Sequence, residues 1–412
     1  MTDKKAASHL SSVIVIGGGP AGLFTAERLA HYGHKVTLFD HMARPGRKLL
    51  MAGRSGLNLT HSESLERFLS RYGKAQSWLE PALRQFPPSA LQHWAEDLGQ
   101  PCFKGSSGRI FLKSLKASPL LRAWLTRLEQ HGVNFQPHHR LTAITAHEAT
   151  FDTPHGPHHV PYKACVLALG GASWSRLGSD GQWASLFPTL CAPFGPSNCG
   201  FVPHWPQSLS ERHEGDTLRG IRLQYGTHHY RGDLILTRRG LEGAPLYTLS
   251  PLLRDALQTH DTVSLTLNLR PTLSAEAIHK RLASQRPRES RSNRLRKALG
   301  LDRFSRALLS EYAPHAQTPD ELTRAVTQLP LTLTAPMPID RAISTSGGLQ
   351  HSALTDEFML RHQPGLFACG EMLDWEAPTG GYLLQGCFST AYTCAEGVHR
   401  WLFSSENGIT TP

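Results

Sequence analysis

The chain has 412 residues, more than one domain usually holds, so two or three packed units are expected. At 40% hydrophobic and 18% charged it is too apolar for disorder, and its 36 glycines and 28 prolines fit a loop-rich α/β protein rather than a collagenous one. Lys and Arg number 43 against 33 Asp and Glu, a net charge of +10 that points to anionic ligands without naming them.

Lys4 and Lys5 precede an apolar run of only Val13 to Ile16, too short for the core of a signal peptide. No stretch approaches the roughly 18 apolar residues of a membrane span. The seven cysteines are scattered and form no C-x-x-C, so neither a zinc knuckle, a close dithiol pair nor an iron–sulfur cluster is expected. A cytoplasmic protein without a metal site is the reading.

The first informative segment runs from Ser12 to Gly22. Its β-branched run predicts a strand buried on both faces, followed by a helix over Ala21–Tyr32 with Leu23, Ala26, Leu29 and Ala30 on one side. Lys35–Asp40 reads as a second strand, giving the strand–helix–strand unit that opens a doubly wound sheet. Residues 65–128 read as mostly helical, broken by Pro87-Pro88 and the loop Gly105–Gly108. Strands are expected near 141–146 and over Cys165–Leu169. Past Pro193, short runs such as Asp233–Thr237 and Val263–Leu267 predict a small antiparallel unit, and Ala275–Gln328 predicts helices. A last short strand near Gly365–Gly370 precedes a helix over about 386–402. The expected fold class is therefore α/β: a discontinuous, doubly wound Rossmann-like domain over 1–195 and 333–412. An antiparallel β domain (196–270) and a helical domain (271–332) are inserted into it.

Gly17, Gly19 and Gly22 spell G-x-G-x-x-G, with Pro20 and Ala21 between, after a strand and before a helix. Gly17 permits a tight turn, Gly19 lets the backbone approach a pyrophosphate, and Gly22 lets helix and strand pack. The helix's first amides then point at the phosphates. Asp40, at the end of the second strand, is placed to accept hydrogen bonds from a ribose. Together these features read as a dinucleotide site.

Five ordered blocks resemble one family: GGGPAG at 17–22, PGRKLLMAGRSGLNLTHS at 45–62, GRIFLKSLKA at 108–117, LALGGASWSRLGSDG at 167–181 and GLFACGEMLDWEAPTGGYLLQG at 365–386. In that order they look like the BaiN-like flavoproteins, also called the aminoacetone oxidase family, of the glutathione-reductase-like FAD superfamily. Where that family usually has G-x-G-R-C-N-x-T, this chain has Gly53–Thr60 without the cysteine, which resembles a divergent subgroup. The resemblance implies FAD. It places Arg47, Lys48 and Arg54 as neutralisers of the pyrophosphate near the flavin, and Ser55, Gly56 and Asn58 beside the isoalloxazine. It makes Ala168, Gly170 and Gly171 a turn passing close to the cofactor. Gly370, Glu371 and Asp374 become a second flavin-contacting stretch facing the ribityl hydroxyls. Gly380, Gly381, Tyr382 and Gln385 open a helix whose amides stabilise reduced flavin.

No second G-x-G-x-x-G follows a strand, so a nicotinamide, NAD(P)H, is expected to bind only transiently in the substrate cleft, unless another electron partner is used. His61, Arg109, Arg176 and Tyr382 are candidate substrate or flavin contacts, each equally readable as structural, and no catalytic residue is named. The expected activity is FAD-dependent hydride transfer between flavin N5 and a small or medium-sized organic substrate, as C=C reduction or as amine or hydroxyl oxidation. The alternative is an FAD-containing RNA-binding or tRNA-modifying protein. It draws on ten Lys or Arg against Glu289 and Asp302 between Lys280 and Arg306, a stretch with one aromatic residue, Phe304.

Overall fold

The run Ser12–Ile16 is a strand because alternate β-branched side chains can be covered on both faces, and Val13, Ile14, Val15 and Ile16 are all buried. The computed structural model describes residues 12–53, 56–286 and 288–406. Helix Pro20–His31 starts with proline at its first position, where the missing N–H costs nothing, and leads into strand Lys35–Phe39. Among the described residues these strands lie in a five-stranded parallel sheet ordered Leu366–Ala368, Ala164–Leu167, Ser12–Ile16, Lys35–Phe39, Asn134–Gln136. The strand nearest the C-terminus thus returns to the sheet edge beside Ala164–Leu167, which makes the nucleotide-type unit discontinuous.

The described chain divides into two units, 12–195 with 344–406, and 196–343. The return to the first unit therefore falls at 344 rather than at 333. The insert is one unit rather than separate β and helical domains, and the reason is topological. Its barrel is ordered Phe201–Pro203, Gly240–Glu242, His228–Thr237, Thr217–Tyr225, Val263–Asn268, Leu329–Pro336. The last of these strands follows helices Ala275–Ala283, Arg291–Leu299, Arg303–Tyr312 and Pro319–Thr327, so the ring closes only after them. Leu265, Leu331, Ile278, Leu308 and Leu322 then share one core. Helix Ala244–Leu257, carrying Pro245 and Pro251, lies where only short strands were expected.

Two further differences lie in the first unit. Cys102–Lys104 and Arg109–Leu112 form a hairpin inside the stretch read as helical, and the hairpin pairs with Asn58–His61. The final helix spans Tyr382–Glu406, starting four residues before the expected 386.

That helix packs on Pro20–His31 through rings. Phe388 lies with ring centroids 4.8 Å from both Phe24 and Trp94 and 5.5 Å from Trp124. Beneath the rings, the buried Glu27 carboxylate accepts from Trp124 Nε1 at 2.6 Å and Trp94 Nε1 at 3.2 Å, and pairs with Arg127 at 2.9 Å. Burial pushes its carboxyl up, against the opposing pull of Arg127 and the indoles. Phe388→Ala should lower unfolding stability by about 3–5 kcal/mol in chemical denaturation, because the cavity lies among rings that cannot collapse into it.

Candidate functional site

At the end of Ser12–Ile16 the chain turns where no side chain would fit. Gly17 has φ of +112°, and a Cβ on it would lie 2.2 Å from the carbonyl oxygen of Ala168. Gly22 is equally confined, since its Cβ would meet the Gly17 oxygen at 1.9 Å. Gly19 differs from both: a Cβ there would meet nothing within 4 Å, and Gly19 lines a cavity of about 300 Å³. The turn is bare toward open space at the one position where a diphosphate has to come close.

Helix Pro20–His31 begins at this cavity, with Pro20 and Ala21 in its lining, and its first turn carries no acidic residue to oppose an anion there. Arg44 and Arg47 line the same wall. Lys48, also in the lining, is otherwise engaged: its Nζ lies 2.7 and 2.9 Å from the two carboxylate oxygens of Glu371 and 2.8 Å from Ser173 Oγ.

Asp40, 9% exposed, accepts the Gly18 amide at 2.5 Å and the Met42 amide at 2.6 Å, so the acid at the end of the second strand also braces the glycine turn. Burial is the largest influence on it and raises its pKa, opposed by those two amides and by His41 and Arg47. The same burial lowers the pKa of His41, which Asp40 partly offsets.

The far wall comes from segments the motif did not indicate: Arg140, Thr142, Ser179, Asp180 and Trp183, with Arg140 paired to Asp180 at 2.9 Å. Trp183 Nε1 donates to the Gly170 oxygen at 2.9 Å and so fixes the turn after Ala164–Leu167. In the lining, Ser179 Oγ is buried with no hydrogen-bond partner among the described residues, the condition of a group awaiting a polar ligand. The bare cradle at Gly19, the buried acid, the cations and this unpartnered hydroxyl fit a dinucleotide.

Of the expected cofactor residues, Gly17, Gly19, Pro20, Ala21, Asp40, Arg47, Lys48, Gly170 and Glu371 line this cavity. Gly22, Ala168, Gly171 and Gly370 stand behind them as close-packed backbone. Arg54 and Ser55 lie outside the described residues. Gly56 and Asn58 sit at the start of the strand that pairs with Arg109–Leu112.

Gly380, Gly381 and Tyr382 gather a second cluster. Gly381 has φ of +93°, and a Cβ on it would lie 2.5 Å from Thr60 Cα. Tyr382 donates to Glu63 Oε1 at 2.6 Å, and Arg71 grips the same carboxylate at 2.8 and 3.0 Å. Burial alone would raise the Glu63 pKa, but the Arg71 and Tyr382 hydrogen bonds hold it below the usual range. His61 stacks on Tyr382 at 5.5 Å with both nitrogens occupied: Nδ1 accepts the Glu63 amide and Nε2 faces the Ser107 oxygen. Arg109 lies beside Gly380, whereas Arg176 is exposed on a separate turn.

Two expected contacts are placed elsewhere. The Gln385 side chain is fully buried, and its amide is taken up by Thr60, Phe86 and Ser389. Asp374 is half-buried away from the cavity lining, its amide bound to the Leu349 oxygen at 2.8 Å, with its pKa raised by burial and by Glu376. Both follow from helix and strand packing that the local pattern does not reveal. His41 and Arg44 directly follow Asp40 and were within reach of the motif, as Ser179 and Asp180 were within the 167–181 block. Arg140 has no local signal, because an antiparallel meander brings it in.

The chain is a Rossmann flavoprotein, an FAD-dependent oxidoreductase, and this cavity is its candidate dinucleotide site. It belongs to the HI0933-like protein Rossmann domain family, whose model matches residues 11–397. It is 26% identical over 403 residues to the ribosomal RNA dihydrouridine synthase of Escherichia coli (strain K12), covering 93% of this chain and 97% of that protein. It is 23% identical over 410 residues to the 3-dehydro-bile acid delta(4,6)-reductase of Clostridium scindens, covering 93% and 98%. The fold is similar to that of 3-ketosteroid delta1-dehydrogenase from Sterolibacterium denitrificans, with a TM-score of 0.52 at 12% identity over 95% of this chain and 100% of that one. No helix of the described residues is long and apolar enough to cross a membrane.

Gly19→Val should leave the apoprotein folded, because the new side chain enters open space, yet abolish FAD retention. Absorbance of the purified variant against its circular dichroism reads both. A second expectation concerns pH. With the Asp40 pKa raised, a proton reaches this carboxylate sooner than it would an ordinary aspartate at about 4. The folded chain binds that proton more tightly than the unfolded one, so keeping Asp40 ionised costs stability above its pKa and the cost disappears on acidification. FAD affinity should therefore fall through a window lying above about pH 4, with no acid-induced loss of apoprotein stability from this group. Fluorescence titrations of wild type and Asp40→Asn across pH check it, the variant losing the step.

Proposed function

We propose that the chain saturates a carbon–carbon double bond conjugated to a carbonyl, drawing its electrons from NAD(P)H that binds transiently. The observation that carries the reading is the bare, cation-lined cradle at Gly19, which suits FAD, joined to the act that the names of the two curated relatives have in common. A delta(4,6)-reductase and a dihydrouridine synthase both remove a ring double bond. FAD, when bound, would supply the hydride for one carbon of such a bond through its N5, and the proton on the other carbon would come from water.

The chain's own residues then have these roles. Asp40 accepts the ribose hydroxyls, while the Gly17–Gly19 turn, the helix amides and Arg47 hold the pyrophosphate. Glu371, oriented by Lys48, meets the ribityl hydroxyls. Gly56 and Asn58, with Gly380 and Gly381, would flank the ring. Tyr382 keeps its proton, since burial and the Glu63 hydrogen bond both raise its pKa, and it presents a fixed aromatic wall rather than a base. The seven free thiols suit a reducing compartment, which supports a cytoplasmic location.

The conjugated bond has two candidate carriers, a free ring molecule or a pyrimidine within RNA. The second is favoured by the cations crowding the helices between Lys280 and Arg306. Anaerobic NADPH or NADH should bleach the visible flavin band quickly, and a steroid enone or a uridine-containing RNA should restore it without oxygen while losing its own double bond. Fast bleaching by an amine or alcohol, with slow bleaching by either nicotinamide, would replace this reading with a dehydrogenase or oxidase.

A further inference from the structure

The inserted unit holds a second cavity, of about 420 Å³, on helices Arg291–Leu299 and Arg303–Tyr312. Arg291, Arg303 and Arg306 line it together with Ser290, Ser292 and Ser310, and no carboxylate is among the lining residues. Arg303 and Arg306 thus bring two guanidiniums that cannot lose their protons to one hollow with hydroxyls beside it, while Arg291 forms part of its wall. Their mutual repulsion is a cost that an occupying anion would reverse.

The nearby acids do not cancel this charge. Glu289 is paired with Lys297 at 2.6 Å, and Asp302 caps its helix by accepting the Ser305 amide at 2.7 Å. Arg306 Nη1 donates to Ser292 Oγ at 2.7 Å, so the two helices hold one of the guanidiniums in a fixed direction. Arg291 spends Nη2 on the Leu309 and Ala313 oxygens and its Nε is buried, so it braces the wall rather than reaching into the hollow. Burial, then Arg294, lowers its pKa, as expected for a cation short of counter-charge. Arg303 is exposed and has no acidic partner among the described residues.

Serine hydroxyls and forked guanidiniums without carboxylates are the donor set that a phosphoryl group takes, since it offers several acceptor oxygens and at least one negative charge. An apolar ligand would leave the arginines unpaired, and a cation would be repelled. We infer that the cavity between helices Arg291–Leu299 and Arg303–Tyr312 is a phosphate-binding site, distinct from the dinucleotide cavity of the other unit. The exposed Lys280, Arg281, Arg286, Arg288 and Arg296 belong to the same helical stretch and extend its positive field beyond one phosphate.

The phosphoryl group has two sources, the backbone of an RNA strand or a small phosphorylated molecule, and the test separates them. The FAD-loaded protein is titrated with a labelled short single-stranded RNA by anisotropy, and with pyrophosphate and NADP⁺ by calorimetry. The same is done for Arg303→Glu, at an exposed side chain the fold does not need, and for Arg306→Gln. RNA affinity lowered about tenfold or more in Arg303→Glu, with a shallower salt dependence, assigns the site to a phosphodiester backbone. A loss confined to pyrophosphate or NADP⁺ assigns it to a small phosphorylated ligand. If no phosphate-bearing probe binds, or if both variants bind every probe as wild type does, the site is overturned. Flavin content and NADPH bleaching should be the same in all three proteins, so this outcome leaves the reductase reading untouched.

Discussion

Three backbone segments of the first unit meet with no side chain between them, and the rest of that unit is arranged around the fact. Gly17 sits against the carbonyl of Ala168, and Gly22 sits against the carbonyl of Gly17. A methyl at either position would push the first helix off the sheet or separate two neighbouring strands by more than a hydrogen bond tolerates. This close approach lets the helix begin immediately after the strand, so that its unpaired amides open into the cavity rather than against protein. Asp40 completes the arrangement from the next strand by holding the Gly18 amide. The acid placed to meet a ribose is thus also the group that keeps the turn in shape, and the two roles cannot be separated by mutation without cost.

The C-terminal return is secured by different forces. Strand Leu366–Ala368 is only three residues long and adds few ladder bonds. Its register is kept by helix Tyr382–Glu406, whose Phe388 is enclosed by Phe24, Trp94 and Trp124, and by the buried amide of Gln385 bridging Thr60 to Phe86. A fully satisfied polar bridge in an apolar setting fixes one arrangement, because any shift would strand its donors. Gly381 against Thr60 places the start of this helix beside the strand that begins at Asn58. The segment expected to meet the flavin is therefore held by packing from two sequence-distant regions.

Much of this was legible in the chain and some was not, for reasons that follow from distance along the sequence. A parallel strand buried on both faces needs apolar residues at every position, so Val13–Ile16 and Cys165–Leu167 announce themselves, as does a glycine turn between strand and helix. Arg140 and Asp180 carry no such mark. Their meeting depends on a meander whose strands are half exposed, and charged residues on exposed strands look alike whether or not they face a ligand. Gln385 and Asp374 fail in the opposite sense: a resemblance aligns them with the cofactor, while burial turns the first into a brace and the strand contact at Leu349 turns the second aside. The insert was misjudged because a barrel that closes only with Leu329–Pro336 hides its unity behind about fifty residues of helix.

The Lys48–Glu371 pair bears on how charge is distributed along the dinucleotide cavity. Glu371 is 8% exposed, and Lys48, held at 2.7 Å, is its ion-pair partner. A cation committed in this way contributes little to a diphosphate nearby. The helix amides, Arg44 and Arg47 are then left as the positive pole facing Gly19, while the Lys48–Glu371 end of the cavity is nearly neutral and rich in acceptors and donors. A ligand that is anionic in its middle and hydroxylated toward one end matches that gradient, and a uniformly anionic one does not. The polarity of the cavity, read only from which side chains already have partners, would thus favour one direction for a dinucleotide, its polyol toward Glu371 and its adenosine toward Asp40.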